Sequence, residues 1–307
     1  MSTTTCNDQP NDAPIVLALV SAMLFWGMSW ISGKIIADIA PAQVTVFYRL
    51  FLAAISMLPI MWVLHKLKLL NLNYSVRALL WSLPAGILLA AYNQLFFMGL
   101  ADGLPGKGGM LVTTSNPVFT FILSAVLLGQ AINKRQGIGL ALGLGGGLLM
   151  IEVWHFNLDQ ILASGNAYFI LASLTWAFLT LISQRGTRYA DFITFSTLMY
   201  VWASLLSYLF AYQHDPFSSA SQYPAYYWHH LLFLSIVVVS IATSVFFLAT
   251  QKLGPNRSSS FVFVVPVTAM GLSAWYFAER LSLGVAVGGA CALCAVYLLN
   301  KKTAKSG

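Results

Sequence analysis

The chain has 307 residues, 58% of them hydrophobic and only 8% charged, with a formal net charge of +7. An ordinary soluble domain is roughly 45–50% apolar and about 25% charged, so no soluble core absorbs this much apolar surface. Composition therefore excludes a soluble enzyme. It also excludes a nucleic-acid binder, because the cations are scattered over short segments with no soluble module to present them.

In chain order, long apolar runs predict spans near residues 14–34, 41–64, 78–100, 105–129, 135–153, 164–184, 191–212, 229–251, 256–278 and 283–300. Each is of the length a helix needs to cross the hydrocarbon, about 20 residues at about 1.5 Å rise each. The runs lack the polar alternation of lumen-facing strands, which favours helices over a barrel. Met1 to Pro14 carries Asp8 and Asp12 without Lys or Arg, so the first run reads as a retained helix and not a cleaved leader. His214 to Tyr227, with Pro216 and Pro224, reads as a loop. The expected fold is an all-α integral membrane protein of ten transmembrane helices. Residues 1–13 form a tail, 14–153 a first five-helix unit, 164–300 a second, and 301–307 a basic tail.

Charge placement sets the expected orientation. With a cytoplasmic N-terminus, inside segments hold Lys66, Lys68, Arg77, Lys134, Arg135, Arg185, Arg188, Lys252, Arg257, Lys301, Lys302 and Lys305. Outside segments hold only Lys34, Lys107 and Arg280, which leaves Arg49 within a span. This positive-inside bias puts both termini in the cytoplasm.

The second half repeats the first. Trp26 to Ser32 matches Trp176 to Ile182, and Leu104 to Gln130 matches Leu253 to Glu279, including mid-helix prolines at Pro117 and Pro266. The tryptophans stand 150 residues apart and the prolines 149. An odd number of helices per unit makes the second unit enter the membrane from the opposite face. That is the inverted-repeat geometry that sets a substrate site at mid-bilayer.

Arg49 within Phe47-Tyr48-Arg49-Leu50-Phe51-Leu52, prolines in the fourth and ninth spans, and Phe277-Ala278-Glu279-Arg280-Leu281 before a Gly-rich helix complete a pattern. Over residues 15–300 it resembles the EamA-type transporters of the drug/metabolite transporter superfamily. The resemblance implies an inner-membrane carrier for small metabolites, often an exporter of amino acids or related compounds. It also implies a central cavity lined by the first, third, fourth, sixth, eighth and ninth spans. The chain departs from that pattern at Leu128-Gly129-Gln130, where an acid is usual, so Glu279 has no counterpart.

Polar side chains in mid-span are expensive in lipid and are expected to face the protein interior or a cavity. The expected substrate contacts are Trp26, Trp30, Tyr92, Asn93, Thr114, Asn116, Trp176, Thr180, Thr243, Ser259 and Phe263. Rings with hydroxyls and amides suit a small neutral or zwitterionic ligand with an aromatic or aliphatic part. The rival reading of each Ser or Thr is a hydrogen bond to helix backbone, and of each Trp an interfacial anchor.

Arg49, Pro117, Pro266 and Glu279 are expected to gate or to shape the structure. Arg49 reads either as an anion anchor or as a lock to helix-end carbonyls or Glu279. The prolines read as hinges or as fixed kinks. All nine acidic residues fall in tails, loops or span ends, which points to a facilitator or exchanger and not to proton coupling. Glycines 139, 143 and 147, and 284 and 288 with Ala292, recur at small-residue spacing and permit close helix approach, within the chain or between copies. Cys291 and Cys294 sit in an apolar span and make no credible metal or redox site. The expected function is alternating-access transport of a small metabolite across the cytoplasmic membrane, by a monomer or weak homodimer without cofactor or nucleic-acid partner. A lipid flippase of the same fold is the alternative.

Overall fold

The computed structural model describes residues 12–68, 70, 75–102, 108–155, 164–277 and 282–300, and all regular structure within them is helical. The tails expected at 1–13 and 301–307 fall almost wholly outside these residues, as does Glu279. The first half holds α1 (Ala13–Ala37), α2 (Ala42–Lys66), α3 (Val76–Asp102), α4 (Gly108–Leu128) and α5 (Lys134–Ile151). The second opens with α6 (Ser164–Gly186), α7 (Phe192–Ala211) and the short α8 (Pro216–Ser219). Next come α9 (Ala225–Leu232), a π-helical stretch (Phe233–Thr243) and α10 (Ser244–Leu253), which run on as one rod. The last elements are α11 (Pro255–Ser260), a 3-10 turn (Phe261–Phe263), α12 (Val264–Phe277) and α13 (Leu283–Asn300).

Local chemistry explains the helix ends. Asn133 caps α5 by accepting from the Gln136 amide while the Gln136 side chain accepts from Asn133 N–H, so two orphan donors are satisfied. Asp191 caps α7 by accepting from Thr194 N–H at 2.9 Å. Gly254, at φ 87°, turns the chain sharply out of α10, and Pro255 at the first turn starts α11. Two expectations change in detail. Pro216 nucleates a helical turn inside the segment expected to be a loop, and the eighth rod begins at Ala225, so Tyr226 to His230 are helical. In the ninth span Pro266 has no N–H for the carbonyl of Val262, and the preceding turn tightens to 3-10 without interrupting the helix.

Seven described helices are long and apolar enough to cross a membrane: Ala13–Ala37, Ala42–Lys66, Val76–Ala101, Ala167–Gly186, Phe192–His214, Ala225–Leu253 and Leu283–Asn300. Val112–Leu128 is apolar but shorter. The surface is inverted relative to a soluble protein. Val126 is 74% and Trp275 81% exposed, whereas Ser82, Thr120, Ser124, Ser207 and Ser235 are fully buried. Such an outside is favourable only against lipid.

Helix packing follows a pairing rule. α1 packs on α12 and on the Ala225–Leu253 rod, while α6 packs on α4 and on α3. α2 packs on the π-stretch while α7 packs on α3, and the α2·α7 and α5·α13 contacts join corresponding members of the two halves. Exchanging the halves leaves these pairs unchanged. The small-residue stripes serve the α5·α13 seam, where Gly146 lies against Gly288, while Gly143 and Gly147 make room for Phe263 and Thr114.

Candidate functional site: a central cavity

Side chains from both halves meet at one cavity. α1 contributes Trp26, Ser29 and Trp30, and α3 contributes Leu89, Tyr92, Asn93 and Phe96. Those spacings of three and four residues put each set on one helix face. Arg49 comes from α2, Thr113 from α4, Trp176 from α6, Val238, Val239 and Thr243 from the π-stretch, and Val265 from α12. The six spans implied by the resemblance all contribute, and α2 adds a seventh wall.

Aromatic rings form the floor. The Trp26 and Trp176 centroids lie 5.0 Å apart, edge to face, and Tyr92 lies 4.6 Å from Trp176. Phe246 packs 5.2 Å from Trp26, and Phe247 stacks 6.0 Å from Trp176. Trp30 and Phe96 pack at 4.8 Å. The space left for water centres is about 40 Å³, room for roughly three waters.

Most small hydroxyls here bond to backbone. Ser29 donates to Trp26 O at 2.6 Å and Thr243 to Val238 O at 3.0 Å. Asn93 donates from Nδ2 to Leu89 O at 2.8 Å, which directs its Oδ1 to Arg49 Nη1 at 3.0 Å. Among the described cavity-lining side chains, two buried donors have no partner: Arg49 Nε and Trp176 Nε1.

Of the expected contacts, Trp26, Trp30, Tyr92, Asn93, Trp176 and Thr243 line the cavity. Thr114, Asn116, Thr180, Ser259 and Phe263 lie elsewhere. Thr114 packs against Gly147, and Asn116 reaches Ser173 O on α6 at 3.4 Å. Thr180 donates back to Trp176 O and Ser259 to Asn256 O. Phe263 belongs to a satellite core with Phe121, Ala292, Ala295 and Leu299. Pro117 sits inside α4, while Pro266 lies just after the 3-10 turn. Arg49 is held by a neutral amide and by the Phe96 and Phe97 rings, with its guanidinium carbon 6.0 and 5.6 Å from their centroids.

The sequence carried no signal for the π-stretch or for the apolar wall residues Leu89, Val238, Val239 and Val265. In that stretch hydroxyls bond five residues back, as Ser240 does to Ser235 O at 3.1 Å. Tyr200 braces it from α7, donating to Val239 O at 2.9 Å and meeting Ser244 Oγ at 3.2 Å. Ser240 also meets Ser56 at 2.6 Å, tying the stretch to α2. Tyr200→Phe is expected to remove this brace at a cost of about 0.5–1.5 kcal/mol. Thermal unfolding in detergent reads this, and an unchanged midpoint would remove Tyr200 from the role of brace.

Side-chain clasps flank the cavity at both ends. Toward the Lys34 end of α1, Tyr48 donates to Pro216 O at 2.7 Å and His230 Nδ1 meets Ser32 Oγ at 3.2 Å. At the other end Arg257 pairs with Asp12 at 3.3 Å and bonds Asn300 at 3.4 Å, while Asn300 donates to Ser260 at 2.8 Å.

A helical bundle with lipid-type exterior, buried hydroxyls and a central cavity is the build of a multi-pass membrane protein. The EamA-like transporter family matches residues 13–152 and again 163–301, so the chain belongs to that family. It is similar to the uncharacterized transporter YoaV of Bacillus subtilis (strain 168), at 23% identity over 92% of this chain and 96% of that one. It is also similar to the WAT1-related protein At3g02690, chloroplastic, of Arabidopsis thaliana, at 27% identity over 92% of this chain and 68% of the relative. Protein RarD of Escherichia coli (strain K12) is 21% identical over 86% of each chain. A solved crystal structure, 15% identical, shares the fold at a TM-score of 0.71 over 94% of this chain and 97% of its own. The protein is a membrane transporter and not an enzyme.

Proposed function

We propose that the protein is a secondary carrier that moves a small metabolite, an amino acid or related compound, across the cytoplasmic membrane by alternating access. Its ten spans form two inverted five-helix repeats with both termini cytoplasmic, and it works as a facilitator or exchanger in monomeric or weakly dimeric form.

One observation carries the reading: a single cavity receives side chains from both halves, with Trp26 and Trp176, 150 residues apart in sequence, in ring contact at its floor. The tandem family match and the exchangeable packing pairs support duplication. Five spans per unit then give opposite polarity, the arrangement that lets one bundle rock against the other. Among the described residues no carboxylate lines the cavity, which supports movement down the solute's own gradient.

Purified protein in liposomes is expected to show counterflow of at least one radiolabelled amino acid, saturable and absent from empty vesicles. Accumulation driven by an imposed proton gradient alone would defeat the facilitator mechanism. Absence of flux across a broad panel of amino acids and their derivatives would defeat the substrate class.

A further inference from the structure

Arg49 places a positive charge at the cavity with no carboxylate partner among the described residues. It is 6% exposed, and its partners among the described residues are neutral: Asn93 Oδ1 and the faces of Phe96 and Phe97. Among the described residues its Nε has no acceptor, and neither has Nε1 of Trp176, which lines the same cavity and is 5% exposed. Buried cations normally have an ionic partner, because burial strips water that neutral dipoles replace only in part. Here the missing component is an acceptor, preferably anionic.

A lock required by the fold itself would be expected in both repeats. The positions 149 and 150 residues beyond Arg49 are Leu198 and Met199, both uncharged. The first repeat carries this charge and the second does not. Asn93 is aimed by its bond to Leu89 O and holds one edge of the guanidinium, which leaves Nε for an incoming group. The surrounding rings supply apolar surface for the rest of the ligand.

We propose that Arg49 is the anion anchor of the substrate site, receiving the carboxylate of a small organic acid or amino acid whose apolar part lies against Trp26 and Trp176. This rests on the carrier reading and names its substrate class. Geometry supports a carboxylate in particular: Nε with the neighbouring Nη forms a planar fork that matches two oxygens, and the indole donor suits one more bond.

The test uses purified full-length protein and four acid–amide pairs: benzoate and benzamide, phenylacetate and phenylacetamide, L-phenylalanine and L-phenylalaninamide, L-leucine and L-leucinamide. Binding is read by calorimetry and thermal stabilisation. At least one acid is expected to bind about tenfold or more tighter than its amide, the discrimination a charge-assisted hydrogen bond supplies. Arg49→Gln is expected to bring that ratio to near one, Arg49→Lys to retain part of it, and ligand-free Arg49→Gln to unfold at or above the wild-type midpoint. If no pair favours the acid, or if the preference survives in Arg49→Gln, the anchor is wrong. Inorganic phosphate binding as tightly as the best acid would overturn the carboxylate assignment. Should Arg49→Gln fail to fold, the lock is structural and the anchor is overturned unless Trp176→Phe alone reduces the wild-type preference. Counterflow separates the two ideas: flux indifferent to the acid group sinks the anchor and leaves the carrier, whereas Arg49-dependent acid binding without flux does the reverse.

Discussion

Gly146→Leu is expected to destabilise the protein by at least about 3 kcal/mol, enough to abolish recovery of monodisperse material. A Cβ at this position would lie 2.6 Å from the carbonyl oxygen of Gly288, 3.0 Å from Cys291 Cβ and 3.1 Å from Ala292 N. Two of those three neighbours are backbone of α13 and have no rotamer by which to retreat. Relief requires prising α5 from α13, and this seam joins the two halves along most of the length of both helices. In lipid no hydrophobic driving force restores the contact, since tails solvate the separated faces as well as packing does. An internal control sits one residue away. A Cβ at Gly145 meets nothing within 4 Å, so Gly145→Ala is expected to be neutral or to gain up to about 1 kcal/mol of helix propensity. Size-exclusion profiles and thermal midpoints of the two variants decide the matter, and a wild-type midpoint for Gly146→Leu would refute the seam.

Trp176→Ala is expected to have the second large effect. The indole touches Trp26, Tyr92, Phe246 and Phe247, so its loss opens a void among four rings drawn from α1, α3 and α10. Truncating a buried Trp costs about 3–5 kcal/mol. Because the same ring is cavity floor, uptake into liposomes should fall by more than about tenfold even in protein that remains folded, an amount comparable to losing one well-packed aromatic contact with ligand. Trp176→Phe keeps most of the packing and removes only the unpartnered Nε1–H, so it separates fold from binding. Retention of normal affinity and rate by folded Trp176→Ala would place the substrate elsewhere.

The helical membrane architecture was legible because lipid imposes a blunt rule: every crossing must be apolar throughout and must satisfy its own backbone. The span read as 14–34 is the helix Ala13–Ala37, and the rod read as 229–251 is Ala225–Leu253. What hydropathy hides is rotation about the helix axis. In water the apolar stripe reveals the buried face, but α1 is apolar all round, so nothing in its pattern shows which side Trp26 and Trp30 face. Large polar or aromatic groups at depth were readable because few arrangements house them, and Trp26, Tyr92, Asn93 and Trp176 converge accordingly. Thr114, Thr180 and Ser259 were not readable, because a small hydroxyl is equally content on helix backbone or against a neighbouring helix. Arg49 was read as locked to helix-end carbonyls or to Glu279, which lies outside the described residues, and the partner found is Asn93. Asn93, one helix away, is visible only once α3 is turned toward α2.

The π-stretch at Phe233–Thr243 gives this wall a different grammar of change. A regular helix punishes any gain or loss of a residue, because everything downstream swings to a new heading. A segment already wound with one surplus residue per turn absorbs such an edit locally, by tightening or loosening its coil. Val238, Val239 and Thr243 are thus held in place by winding as much as by identity. Deleting one residue here is expected to reshape the chamber while leaving the outer scaffold intact.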